Sequence, residues 1–419
     1  MRITARPLGR LLFAAAAWAS IARGPLSAQS RPTPSAAPLP AGSAALRPDS
    51  VLTPPGGPKL IRLTAPGSGL TTMRLSVRMD EMPAEAGAGQ ILLMLGLERA
   101  RAAASPVGAR IEGTRTPWGI AYTVVGSSDD FDYLAYVLRE AVAEPKLDRV
   151  DLERARTRVR EAADHARETG AGRLGAELRS AAIPGSLALV GTPESLEGLS
   201  ATSMRDLWSR THRRERMSVV VVGAEPLELV LAALKDIGAR GRAPLPPTGK
   251  AEITHTTKVE VLRHWYGEAW VAGDVRDPKA AVLAGLVASR MRDTKSDIQT
   301  NVEVWDVGRA RVLAITGAAY PAGAAALRLR VSGALAETAA KLAPDEIGPA
   351  VAALRFDLLS SARTPWGLAE LVGRYHDATG SADAAYQHVA DLERIDLAVM
   401  RAYLQELQKR GPARAEIRP

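Results

Sequence analysis

Thr71-Thr-Met-Arg-Leu-Ser-Val-Arg-Met79 alternates apolar Met73, Leu75 and Val77 with polar Arg74, Ser76 and Arg78. Successive side chains on a strand point to opposite faces, so this stretch predicts a strand with one face buried and the other polar. Residues 84–103 switch to helical spacing, with Ile91, Leu92, Met94, Leu95 and Leu97 inward and Glu98, Arg99 and Arg101 toward the end. Two strand-like stretches follow at 108–113 and 118–125. Helices are then predicted near 128–142 and 147–169, the first opened by the cap candidates Ser127-Ser128-Asp129-Asp130. Shorter helices at 172–181 and 202–212, the strand Ser218–Val222 and a helix at 227–237 complete the unit. Gly241 to Lys250, with Pro244, Pro246 and Pro247, reads as a linker.

The same order then recurs. Glu268–Gly273 is a strand, and 277–292 is a helix carrying Val282, Leu283, Leu286 and Met291. Strands are predicted at 300–306 and 310–317, then helices at 323–341, 344–362, 366–376 and 395–408. Corresponding elements lie about 195 residues apart, which makes a duplicated domain the economical reading. Each copy runs strand–helix–strand–strand–helix–helix, so the expected class is α+β: two domains, each a mostly antiparallel sheet with helices packed on one face. Arg-Thr-Pro-Trp-Gly occurs twice, at 115–119 and 363–367, but out of register with the duplication, and is read as coincidence.

Composition narrows the chemistry. The 419 residues are 46% hydrophobic and 24% charged with a mean hydropathy of −0.05, which are globular proportions. There is no cysteine, which removes disulfide frameworks, thiolate metal sites and cysteine nucleophiles. Arg2, Arg6 and Arg10 precede an apolar run from Leu11 to Ala22, with small residues up to Ala28, so residues 1–28 read as an export signal. Residues 29–58, rich in Pro and Ala, read as a flexible tether. The formal charge of +8 falls to +4 without the four leader arginines, so the basicity is no argument for nucleic acid. Arg213, Arg214 and Arg216 are read as a solvated basic face. The expected domains are 59–240 and 258–419, joined by a linker at 241–257. The mature chain is expected to lack a transmembrane helix and to reside in the periplasm or another extracytoplasmic space.

Gly191-Thr-Pro-Glu-Ser-Leu196, Leu199-Ser-Ala-Thr-Ser-Met-Arg-Asp-Leu-Trp208 and Met217-Ser-Val-Val-Val-Val-Gly223 carry a more specific signal, joined by Leu283 to Arg292 in the second half. Together with the duplication, these segments resemble the insulinase/pitrilysin family, which includes mitochondrial processing peptidase, over residues 58–419. The resemblance implies a clamshell-type subunit. In active members an inverted zinc motif, H-x-x-E-H, stands on the first helix: two His one turn apart bind zinc, and the Glu is general base for the metal-bound water. Here the matching helix carries Gln90 and Met94 at the His positions and Leu93 at the Glu position. No His occurs before His165. An amide is a poor zinc ligand, a thioether prefers softer metals, and Leu accepts no proton. Hydrolysis by the family mechanism is therefore not expected.

Glu161 and Glu168 match the positions where the family draws its remaining metal ligand, with His165 on the same helical face. A face of solvated ion pairs is the favoured reading over a metal site. Arg292 matches a substrate-binding Arg, but Gln299 stands where a Tyr is expected. His264-Trp265-Tyr266 is the best candidate for exposed aromatics, with core packing favoured over it. These readings lead to a non-catalytic homologue without its own cofactor, zinc being expected only in a homologous partner subunit. Self-association, or a stand-alone role binding peptides or scaffolding envelope proteins, is the alternative.

Overall fold

The computed structural model describes residues 41–55, 57–65, 69–186, 188–238, 261–292 and 297–419. The export signal and the linker fall outside the described residues. The order is α1 (Ala41–Ala44), β1 (Ser50–Leu52), β2 (Lys59–Thr64), β3 (Leu70–Arg78), α2 (Ala88–Ala104), β4 (Arg110–Thr116) and β5 (Gly119–Ser127). It continues with α3 (Phe131–Val142), α4 (Arg149–Glu168), α5 (Gly170–Ala182), α6 (Pro193–Gly198), α7 (Ala201–Thr211), β6 (Met217–Gly223) and α8 (Leu227–Leu234). Then come β7 (His264–Asp274), α9 (Lys279–Met291), β8 (Gln299–Val307), β9 (Ala310–Ala319), α10 (Ala324–Lys341) and α11 (Pro344–Ser361). The chain ends with α12 (Pro365–Thr379), α13 (Ala384–Leu392), α14 (Leu397–Arg410) and β10 (Ala413–Ile417).

The strands form two sheets, ordered β1-β2-β6-β3-β5-β4 and β10-β7-β9-β8, and among the described residues only the β2–β6 pair is parallel. The fold is α+β. Strand patterning explains where each core lies. Met73, Leu75 and Val77 of β3 meet Ile91, Leu92 and Leu95 of α2 and Leu134 and Leu138 of α3. In the second sheet Trp270, Leu313 and Ile315 meet Leu283 and Leu286 of α9 and Leu404 and Leu407 of α14.

The other face of each sheet is also covered, by a helix from the opposite half. Leu368, Leu371 and Val372 of α12 pack with Ile61, Leu63, Val220 and Val222 of the first sheet. Leu174 and Leu178 of α5 pack with Ala269, Val312 and Ala314 of the second. The polar side of β3 is consequently not a solvent face: Arg74 and Ser76 are buried beneath α12. Periodicity identifies two faces of a strand but cannot say that a helix 300 residues away will roof the polar one.

Residues 41–58 also differ from the tether expected of their composition. They include α1 and β1, and β1 pairs with β2 through Ser50↔Arg62, Val51↔Ile61 and Leu52↔Leu60. The proline-rich stretch is thus interrupted by a short edge strand. The two Arg-Thr-Pro-Trp-Gly copies serve different ends. Arg115 of the first donates to the Gly119 carbonyl at the β4–β5 turn, whereas Thr364 of the second caps α12 by accepting from the Gly367 amide.

Candidate functional site

The positions that matter are set by α2. Gly87, at φ +90°, lets the chain turn into the helix against Gly191, whose Cα would lie 2.9 Å from a Cβ at Gly87. Beneath this first turn lies a buried carboxylate, Glu81. Its Oε1 accepts from the Gly89 amide at 2.7 Å and is 2.9 Å from Arg115 Nη2, anchoring the start of α2 to β4. Burial outweighs the Arg115 charge and holds the Glu81 pKa above its ordinary value. A second buried pair, Arg210 Nη2 to Glu85 Oε2 at 2.6 Å, ties the segment before α2 to α7. No sequence spacing pointed to either pair, because their partners lie about 30 residues or more away and charge alone does not predict burial.

On this anchored helix, Gln90 and Met94 are half-buried and Leu93 is buried. Leu93 packs onto β4 so closely that a Cβ at Gly113 would stand 2.7 Å from Leu93 Cδ1. An amide, a thioether and a hydrocarbon make no set of zinc ligands and no general base. The residues present do not fit the metal.

Glu161 and Glu168 are exposed on α4. Glu168 Oε2 lies 3.5 Å from His165 Nδ1, and both side chains are more than two-thirds in solvent. Among the described residues no group of three or more His, Asp or Glu side chains is placed to hold a metal ion. Arg292 is exposed at the C-cap of α9, and Gln299 opens β8.

The aromatic triplet is packed rather than presented. His264 and Tyr266 are buried, and Trp265 lies against α5, where its Nε1 would be 2.0 Å from a Cβ at Gly170. The basic cluster is engaged as well. Arg213 donates to the Ser209 carbonyl, Arg214 to the Gly238 carbonyl, and Arg216 pairs with Asp80 at 2.6 Å. No helix of the described residues is long and apolar enough to cross a membrane.

Neither a family model nor a curated protein matches this sequence. Solved structures do. A protease from Helicobacter pylori is similar over 89% of this chain and 100% of its own, with a TM-score of 0.76 at 14% identity. The fold is that of the M16-like peptidases. A peptidase M16 inactive domain from Pseudomonas fluorescens shares it over 85% of this chain and 94% of its own, with a TM-score of 0.72 at 12% identity. So does an M16-like peptidase described as putative from Alicyclobacillus acidocaldarius, over 88% and 98%, with a TM-score of 0.69 at 15% identity. The M16 fold is the architecture that the insulinase-like resemblance implied, and one of its representatives here is an inactive domain.

Proposed function

We propose that this chain is an exported, non-catalytic M16-like protein that acts as the partner subunit of a zinc-bearing homologue. One observation carries the reading. In an M16-type fold, the helix that matches the inverted zinc motif presents Gln90, Leu93 and Met94, none of which can supply the chemistry. The similarity to an M16 inactive domain supports a member of this fold without its own activity. The firmly anchored α2 supports a retained shape from which the ligands have gone. The leader supports export to a periplasmic or other extracytoplasmic space, with zinc held by the partner.

The test is native co-purification of the tagged mature chain from the envelope fraction, with zinc assayed in the same sample. A stoichiometric homologue carrying zinc is the expected companion. Recovery of the chain alone and metal-free would sink the partner role and favour a stand-alone peptide-binding or scaffolding protein.

A further inference from the structure

Where α12 seats on the first sheet, the buried Arg74 has its acceptors: Nη1 is 2.8 Å from Asp377 Oδ2 and Nε is 3.3 Å from Glu370 Oε2. Where α5 seats on the second sheet, Arg179 does not. Its guanidinium stands 4.9 Å from the centre of the Trp305 ring, yet among the described residues it makes no hydrogen bond and no ion pair. The arginine stacked on Trp366, Arg110, donates instead to Glu112. Arg179 is half-buried, and its nitrogens still reach solvent, since none of them is enclosed without a partner as Arg156 Nε and Arg160 Nε are.

The side chains around Arg179 explain why it is held in place and left unpaired. Asn301, Glu303 and Trp305 alternate along β8, so they share one face of that strand. Glu303 is the acid whose charge Arg179 feels, but both of its oxygens are taken within this row. Oε1 accepts from Asn301 Nδ2 and Oε2 from Trp305 Nε1, each at 2.8 Å. The second bond also fixes the indole on which Arg179 lies. Burial lowers the Arg179 pKa and the Glu303 charge offsets only part of that, so the guanidinium stays charged in a place that costs hydration. An arginine over an aromatic ring keeps its N–H fork for a planar acceptor with two oxygens. We propose that Arg179, seated on Trp305, is a binding site for a carboxylate. A phosphate dianion suits it less, because the Glu303 charge beside the site repels the second negative charge.

The indole of Trp305 is a local reporter. In the mature chain labelled with 15N-tryptophan, its Nε1–H signal is the one lost in Trp305→Phe. Titration with acetate, and with a blocked Ala-Glu-Ala tripeptide, reads the two sources of a carboxylate; acetamide and the Gln counterpart of the tripeptide are the uncharged controls. At least one carboxylate should shift the signal saturably and neither control should. Acetate acting as well as the tripeptide would mark a free carboxylate as the ligand, and the tripeptide alone would mark a carboxylate borne on a peptide. Arg179→Gln should weaken binding about tenfold. Glu303→Gln keeps an oxygen for the Trp305 N–H and removes the opposing charge, so it should tighten binding by about threefold. A merely structural Arg179 would give no such opposite pair. No shift by either carboxylate, equal shifts by the controls, unchanged affinity in Arg179→Gln or weaker binding in Glu303→Gln would each overturn the assignment. The site belongs to this chain alone, so its failure leaves the partner-subunit reading untouched.

Discussion

The seats of α12 and α5 are related by the duplication, yet they are built from opposite chemistry. At a displacement of about 195 residues, Arg74 of β3 corresponds to Ala269 of β7. Across the first sheet the row is Val220, Arg74 and Thr123; across the second it is Ala413, Ala269 and Ala314. On the helices, Glu370, Gly373 and Asp377 of α12 correspond to Gly175, Leu178 and Ala182 of α5. The exchange is coherent in volume as well as charge. A long Arg reaches up to a helix cleared by Gly373, where a Cβ would stand 2.5 Å from Arg74 Nη1. In the other seat, Leu178 reaches down onto a sheet cleared by Gly267, where a Cβ would stand 2.7 Å from Leu178 Cδ1. The lesson is that one backbone contact is served either by an ion cluster or by close apolar packing, and the two must fail differently.

The largest expected effect comes from breaking the ionic seat on one side. Asp377→Ala leaves Arg74, 1% exposed, with only the half-buried Glu370 as counter-charge, at a cost of about 3–5 kcal/mol in urea unfolding. If the chemistry rather than the contact differs, Arg74→Ala, Glu370→Ala, Gly373→Leu and Asp377→Ala together should recover most of that loss, since they rebuild the apolar solution of the other seat. A quadruple variant no more stable than Asp377→Ala alone would contradict this reading.

Steric substitution should come next in size and act in the apolar seat. Gly170→Ala puts a Cβ against the Trp265 ring and should cost about 1–3 kcal/mol, with partial recovery on adding Trp265→Leu. Recovery by a smaller side chain has no parallel in the ionic seat, where shortening Arg74 leaves Asp377 buried without its guanidinium partner.

Acid should also separate the seats. Burial pushes His388, beside Tyr375 of α12, down to about 4, so it stays neutral in the fold while the unfolded chain protonates near 6.5. Its contribution is complete above that value and declines as pH falls toward 4, by roughly 2 kcal/mol at pH 5. Burial works to raise Asp377, but the charge and contacts of Arg74 and His376 together outweigh it and lower the pKa, so this carboxylate's contribution is present above the ordinary Asp range and lost below it. Burial also drives His212, beside Trp208 in the first half, down to about 3, so part of the acid loss is global. Hydrogen exchange between pH 7 and 3 should therefore show α12 losing protection before α5, first through His388 and, below the ordinary Asp range, through Asp377. Simultaneous loss would mean that the ionic seat is not the more acid-sensitive one.

The smallest expected change is on the exposed face of α4. Glu161→Ala and Glu168→Ala should each shift stability by no more than about 0.5 kcal/mol, because both side chains are exposed.

Much of this architecture was legible in the sequence. The 3.6-residue pattern and caps located α3, α10 and α11 to within a few residues, and alternation located β3, β5 and β9. The short strands β1, β2 and β10 and the helices α1, α6 and α13 were missed, since three to nine residues carry too little periodicity to stand out. Arg74 was legible as part of the polar face of β3 but not as buried, because its burial depends on α12, which no local pattern can announce. Gln90, Leu93 and Met94 were singled out through the resemblance to the inverted zinc motif, and α2 carries all three. The pairs Glu81–Arg115 and Glu85–Arg210 were not, because they exist only once the chain has folded.

The most direct test of the central claim is a zinc titration of the purified mature chain, followed by a peptide-hydrolysis assay with zinc in excess. No tight stoichiometric binding and no hydrolysis are expected. One equivalent of tightly bound zinc, with peptide cleavage abolished by Gln90→Ala or Met94→Ala, would contradict it.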